Sequence, residues 1–182
     1  SDIESVRILI SLLVQKGIKE VVLSPGSRNA PLLVSVAREK RLKHHVIVDE
    51  RSAAFFALGI AQQTGQTVVL ICTSGTALLN YSPAVAEAYY QGIPLLVISA
   101  DRPTEWIDQD DSQTIRQQGA LCNFVKKSFQ LPTAITCPED RWYANRLVNE
   151  AINLSQLGRK GPVHVNIPLR EPLYGFQHET IT

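Results

Sequence analysis

A chain of 182 residues, 45% of them hydrophobic, is long enough for one domain with a sizeable core. Its 18 basic and 17 acidic side chains leave a formal charge of +1, which excludes the broad basic footprint of a nucleic-acid binder or a polybasic membrane anchor. No stretch approaches the roughly 20 uncharged apolar residues of a membrane helix, and residues 1–16 scatter charges where a signal peptide would be apolar.

A cytoplasmic protein without membrane insertion is therefore expected. Cys72, Cys122 and Cys137 are odd in number and far apart, so neither a disulfide framework nor a metal-ligand set is suggested, and they read as packing or loop residues. Methionine is absent and the chain opens on Ser1, as in a piece taken from a longer protein.

Residues 3–15 carry apolar side chains at Ile3, Val6, Leu9, Ile10 and Leu13, the spacing of an amphipathic helix, and Gly17 supplies a left-handed stop. Strands are expected at 20–23, 45–48, 68–73, 95–100, 125–131 and 163–167. Several are continuous apolar runs, such as VVLICT and PLLVISA, the composition of a strand buried on both faces. A helix starts near Pro31 behind Asn29, another follows Asp49, and Thr136 with Glu139 has capping-box spacing before a helix running to about Leu157. Gly161 and Pro162 lead into the last strand. The alternation predicts a three-layer α/β/α domain on a mainly parallel six-stranded sheet, spanning 1–172 and followed by a tail, 173–182.

In such sheets ligands gather outside the carboxyl ends of the strands. The loops expected there read SPGSRNAP, DERSAAFFALG, TSGTALLN and ADRPTEWIDQDDSQTIRQQG, concentrating Ser, Thr, Gly, Arg, Asp and Glu at four successive strand ends. The opposite ends have ordinary turn residues, Gly17, Gly65 and Gly92-Ile93-Pro94. In SPGSR, Pro25 and Gly26 turn the backbone, and Ser27 and Arg28 follow. Arg28 suits a carboxylate, and it equally suits a solvated turn.

TSGT, at Ser74, Gly75 and Thr76, exposes backbone N–H groups as a phosphate cradle does, but lacks the P-loop spacing, and a plain strand-to-helix connection uses the same residues. Asp49 can cap the helix that carries Glu50 in its first turn, where capping alone would account for both acids. Arg102 lies at the same edge after the fourth strand. Gln113 and Arg116 are expected on a short helical turn beyond an acidic loop, 108–111, that could simply be solvated. His44 and His45 are read as surface or packing residues before the second strand.

Taken in order, SPGSR, DERSAAFFALG, TSGT, ADRP and IRQ, with the closing GPVHVNIPLREPL, resemble the 2-succinyl-5-enolpyruvyl-6-hydroxy-3-cyclohexene-1-carboxylate synthases, thiamin-diphosphate enzymes of menaquinone biosynthesis. The resemblance runs from about Val21 to Gln118, and 120–160 is less distinctive. It departs at Asn29-Ala30, where Ser-Thr is the family's pattern.

That resemblance implies a pyrimidine-binding domain that meets a partner subunit's diphosphate domain in a homodimer or homotetramer. Mg²⁺ or Mn²⁺ and the diphosphate would be held by downstream domains, with no metal ligand in this segment, since no GDG motif is present. It implies that Glu50 is the catalytic residue, hydrogen-bonding a ring nitrogen of the cofactor's aminopyrimidine. Gly26, Ser74, Gly75 and Thr76 would lie beside the cofactor, and Ser27, Arg28, Arg102 and Gln113 would contact the substrates 2-oxoglutarate and isochorismate. The intact protein would then be a transferase, with little turnover by this segment alone. Two alternatives stay open: another thiamin-diphosphate enzyme, acetolactate-synthase-like or 2-hydroxyacyl-CoA lyase-like, and a non-catalytic α/β binding module.

Overall fold

The computed structural model describes residues 1–176. Six strands, β1 (Glu20–Leu23), β2 (Lys43–Val46), β3 (Val68–Cys72), β4 (Leu95–Asp101), β5 (Ser128–Gln130) and β6 (Val163–Pro168), pair in the order β2-β1-β3-β4-β6-β5. Every pairing is parallel. The helices are α1 (Glu4–Gln15), α2 (Ala30–Arg38), α3 (Glu50–Thr64), α4 (Ala77–Asn80), α5 (Ser82–Gln91) and α6 (Pro138–Gln156).

Strand residues alternate between two cores, as the two-residue period of a pleated strand requires. Val21, Val69, Ile71, Leu96 and Ile98 pack with α1, α2 and α6, while Val22, Leu70, Leu95 and Val97 pack with α3, α4 and α5. The three-layer α/β/α expectation therefore holds, with a sheet that is wholly parallel. β1 continues into α2 on one face and β3 into α4 and α5 on the other, so the order in which strands are added reverses between β1 and β3. Such a switch opens a crevice at the carboxyl ends.

Local signals act as expected at several ends. Gly17 adopts φ +75° after α1, and the Asp49 carboxylate accepts the Ser52 N–H at 2.7 Å as the cap of α3. Four details differ from expectation. The second strand is Lys43–Val46 rather than 45–48, because it is a mostly exposed edge strand whose pairing with β1 sets its bounds and whose polar residues hide it. His44 and His45 consequently lie inside it, with His45 bonded to Glu20 at 2.8 Å and edge-on to Phe56. Strand five shrinks to three residues. At α6 the cap is Cys137, and Asp140 rather than Glu139 reaches back, accepting from Thr136 N and Oγ1 at 2.9 and 2.8 Å.

After β6 the chain stays on the body. Leu169 and Leu173 are buried, and the Gly175 carbonyl accepts the Asp2 N–H at 2.9 Å. The end of the expected tail, 177–182, lies outside the described residues. The three cysteines are free, Cys72 buried and the other two exposed. No helix among the described residues is long and apolar enough to cross a membrane.

Candidate functional site

Side-chain-to-backbone contacts stitch the loop after β1 internally and clasp the loops after β3 and β4 together. In SPGSRN the buried Asn29 accepts the Gly26 N–H at 2.9 Å and donates to the Ser24 carbonyl at 2.8 Å, so its side chain stitches the loop rather than capping α2. That is the role of the residue at which the sequence departs from the pattern it resembles. Gly26 is required by space: a Cβ there would stand 2.5 Å from the Thr73 Cβ. Gly75 has φ +81°, and a Cβ would meet Gln113 at 2.9 Å, so this turn is confined to glycine by both backbone and neighbour.

The structure brings Ser27, Arg28, Ser74, Arg102 and Gln113 to one cleft of about 410 Å³, together with Glu171, Pro172, Leu173 and Tyr174. Gln113 sits in a turn with φ +55° and donates to the Ser74 carbonyl at 3.2 Å. The short helical turn expected for Gln113 and Arg116 is absent, since Asp108, Asp110 and Gln113 all take left-handed conformations incompatible with one. Arg116 instead bonds Asp108 at 2.7 Å on the surface.

An adjoining cleft of about 470 Å³ shares Arg28, Arg102 and Glu171 and adds Arg170, which sequence reasoning missed. Arg28 is buried, donates to the Leu169 carbonyl at 3.0 Å and meets Glu171 at 3.3 Å. Burial first, and the nearby positive charge of Arg102 second, lower its pKa. The Arg102 Nε lies 3.2 Å from Asp111 but out of hydrogen-bond alignment, so it is a buried donor without a hydrogen-bond partner. An anion entering the cleft meets two clustered guanidinium groups and one N–H that needs an acceptor.

Glu50 and Thr76 do not line either cleft. Glu50 stands at the first turn of α3, one strand end away, partly buried, and its carboxylate makes no hydrogen bond or ion pair among the described residues. It is close enough that its charge, after burial, helps raise the Cys72 thiol pKa. Below it, the fully buried Tyr81 donates to Ser24 Oγ at 3.2 Å, and burial chiefly raises that phenol well above its usual range.

Thr76 is exposed at the start of α4, with no capping bond from its side chain. TSGT is not a phosphate cradle: α4 is a single turn, and the Gly75 N–H is already taken by Gln117 Oε1 at 2.7 Å. Among the described residues no group of three His, Cys, Asp or Glu could hold a metal ion. A larger cleft, about 790 Å³, lies at the opposite end of the sheet around Lys16, Lys19 and Gln156 and contains none of these residues.

The family model for thiamine pyrophosphate enzymes, N-terminal TPP binding domain, matches residues 4–121. The chain belongs to that family. It is 55% identical over 96% of its length to a 2-succinyl-5-enolpyruvyl-6-hydroxy-3-cyclohexene-1-carboxylate synthase of Porphyromonas gingivalis, covering 30% of that protein. Proteins of the same name match it in Cytophaga hutchinsonii, 56% identical over 90% of the chain and 29% of the relative, and in Bacteroides thetaiotaomicron, 51% identical over 100% and 32%. The chain thus spans about a third of the length of the curated relatives it matches.

The residues present fit a thiamin group. A carboxylate with no partner among the described residues stands at a helix start beside the crevice, and the loops after β1 and β3 each bring to that end of the sheet a glycine, Gly26 and Gly75, where there is no room for a side chain.

Proposed function

We propose that this chain is the pyrimidine-binding part, residues 1–172, of a thiamin-diphosphate-dependent transferase that decarboxylates 2-oxoglutarate and adds the resulting four-carbon unit to isochorismate. The observation that carries the reading is the placement of the unengaged Glu50 carboxylate one strand end from a cleft walled by Arg28 and Arg102. The matched relatives bear the name of that synthase.

Glu50 would hold a proton at a ring nitrogen of the aminopyrimidine, with Gly26, Ser74, Gly75 and Thr76 forming the wall beside it. The helix start favours a carboxylate at this position, and a carboxylate can accept a hydrogen bond from a protonated ring nitrogen. The bound cofactor supplies a carbon nucleophile and electron sink for a 2-oxo acid. Arg28 and Arg102 bind substrate carboxylates, and Ser27 and Gln113 their polar oxygens. Mg²⁺ or Mn²⁺ and the diphosphate are assigned to the rest of the protein, and the working form to a cytoplasmic homodimer or homotetramer.

The test is turnover by the full-length protein with 2-oxoglutarate, isochorismate, thiamin diphosphate and Mg²⁺. Replacing Glu50 by Gln should lower kcat by about 10²- to 10⁴-fold, the range for a lost acid–base group. Full activity of Glu50→Gln would remove Glu50 from the chemistry. Turnover of another 2-oxo acid in place of 2-oxoglutarate would move the protein to a different thiamin-dependent reaction.

A further inference from the structure

The IRQ motif ends in Gln117, which lines neither arginine cleft, yet is 1% exposed and engages both of its amide hydrogens and its amide oxygen. Its Oε1 accepts the Gly75 N–H at 2.7 Å, and its Nε2 donates to the Ala100 carbonyl at 3.1 Å and to Asn166 Oδ1 at 2.8 Å. The partners fix the amide's orientation, since a backbone N–H can only donate and a carbonyl only accept.

Asn166 goes one bond further and is saturated. Its Oδ1 also accepts from Ser99 Oγ at 2.6 Å, and its Nδ2 donates to Asp101 Oδ2 at 2.7 Å and Gln130 Oε1 at 2.8 Å. Asp101, buried at the end of β4, accepts the Arg102 N–H through Oδ1 at 2.8 Å. An unbroken chain of hydrogen bonds, buried as far as Asp101 and part-buried at its last link, therefore runs from Gly75, in the loop after β3, to the backbone of Arg102, in the loop after β4.

We infer that Gln117 is a positioning residue that sets the Gly75 turn beside the cofactor's pyrimidine and, through Asn166 and Asp101, keeps that turn in register with the substrate-side Arg102. This rests on the thiamin reading above. The chemistry demands an amide: only Gln or Asn both accepts one bond and donates two, and Asn is one methylene too short to span from residue 117 to all three partners. Gly75 cannot hold the turn by itself, because its left-handed backbone needs the N–H satisfied in a buried loop. The frame matters to rate because a displacement of about 1 Å between reacting groups costs on the order of 100-fold.

The experiment uses the full-length protein and reads amide hydrogen exchange together with steady-state kinetics. Gln117→Leu, close in volume, should speed exchange at both the Gly75 and Arg102 amides by about 10-fold, the equivalent of one lost hydrogen bond, with β3 and β4 protection kept. In the same variant kcat should fall about 100-fold, with raised half-saturation for thiamin diphosphate and for 2-oxoglutarate. Gln117→Glu keeps the acceptor for Gly75 and loses both donors, so it should retain protection at Gly75 and lose it at Arg102; it also serves if the Leu variant does not fold.

Exchange at Arg102 unchanged in both variants would overturn the coupling. Kinetic constants within twofold of wild type beside a lowered Tm would show a purely structural role. Wild-type protein without thiamin-dependent turnover would remove the parent reading, and this role with it, whatever the exchange shows.

Discussion

The two ends of the sheet satisfy their backbone groups in opposite ways. At the amino end, helices stop on left-handed Gly17, Gly65 and Gly92, and lysines close the remaining carbonyls: Lys126 Nζ donates to those of Leu154, Leu157 and Arg159, and Lys160 Nζ to that of Gly65. This end holds the larger cleft. At the carboxyl end, loops are tied by buried Asn29 and Gln117, and the charged groups gather: the Glu50 carboxylate, and two neighbouring arginines, Arg28 paired with Glu171 and Arg102 with Asp111, the Arg102 Nε lacking an aligned hydrogen-bond acceptor. The larger cleft thus lies away from the candidate site, where the charged and incompletely bonded groups are.

The largest effect that would sharpen this contrast is at the arginines. In the full-length protein, Arg102→Ala should raise KM for 2-oxoglutarate by about 10- to 100-fold, as for a lost charged hydrogen bond, with Tm nearly unchanged. Arg28→Ala should do the same and also lower Tm, because Arg28 is buried and bonds the Leu169 carbonyl. Equal Tm values for the two variants would contradict the division of roles.

A pH experiment separates the buried network from the surface. Burial holds His164 at a pKa of about 4, against 6.5 when free, between Ser99 Oγ at 2.8 Å and Ser128 Oγ at 2.9 Å. Between those values the unfolded chain binds a proton that the folded chain does not, so stability is lost as pH falls from 6.5 through 4 and is fully present above 6.5. A shift of that size corresponds to about 3 kcal/mol. Denaturant titrations should show this decline in the wild type and a flatter one in His164→Gln; identical slopes would mean that His164 titrates normally.

The smallest effect is expected at the amino end. Lys16→Ala and Lys19→Ala, in the walls of the 790 Å³ cleft, should leave kcat and KM within about twofold, as distant surface changes do. A large change in either constant would make the bigger cleft part of the function.

Much of this was legible in the chain. Continuous apolar runs disclosed β3 and β4 because both faces of those strands are covered, and the composition of the loops that follow pointed to the candidate site. Edge strand β2 was displaced because KHHV carries no apolar alternation, and its bounds come from pairing with β1. The 102–125 loop misled for a different reason: besides Gly119, its left-handed residues are Asp108, Asp110 and Gln113, where no glycine announced the turns.

The buried network was hidden most completely. His164 and Asn166 interrupt an apolar strand, and only the fold shows that their face of β6 is covered by the loop bearing Gln117 rather than by a helix. Arg170 escaped notice because the closing GPVHVNIPLREPL motif that contains it reads as the end of the domain and not as a wall of the cleft.

The central claim is that Glu50 engages the cofactor's pyrimidine ring. The most direct measurement is the rate at which the thiazolium C2 proton of bound thiamin diphosphate exchanges with deuterium, followed by rapid quench and NMR in the full-length protein. Glu50→Gln should slow this exchange by at least about 10²-fold while the cofactor stays bound; an exchange rate equal to that of the wild type would contradict the account.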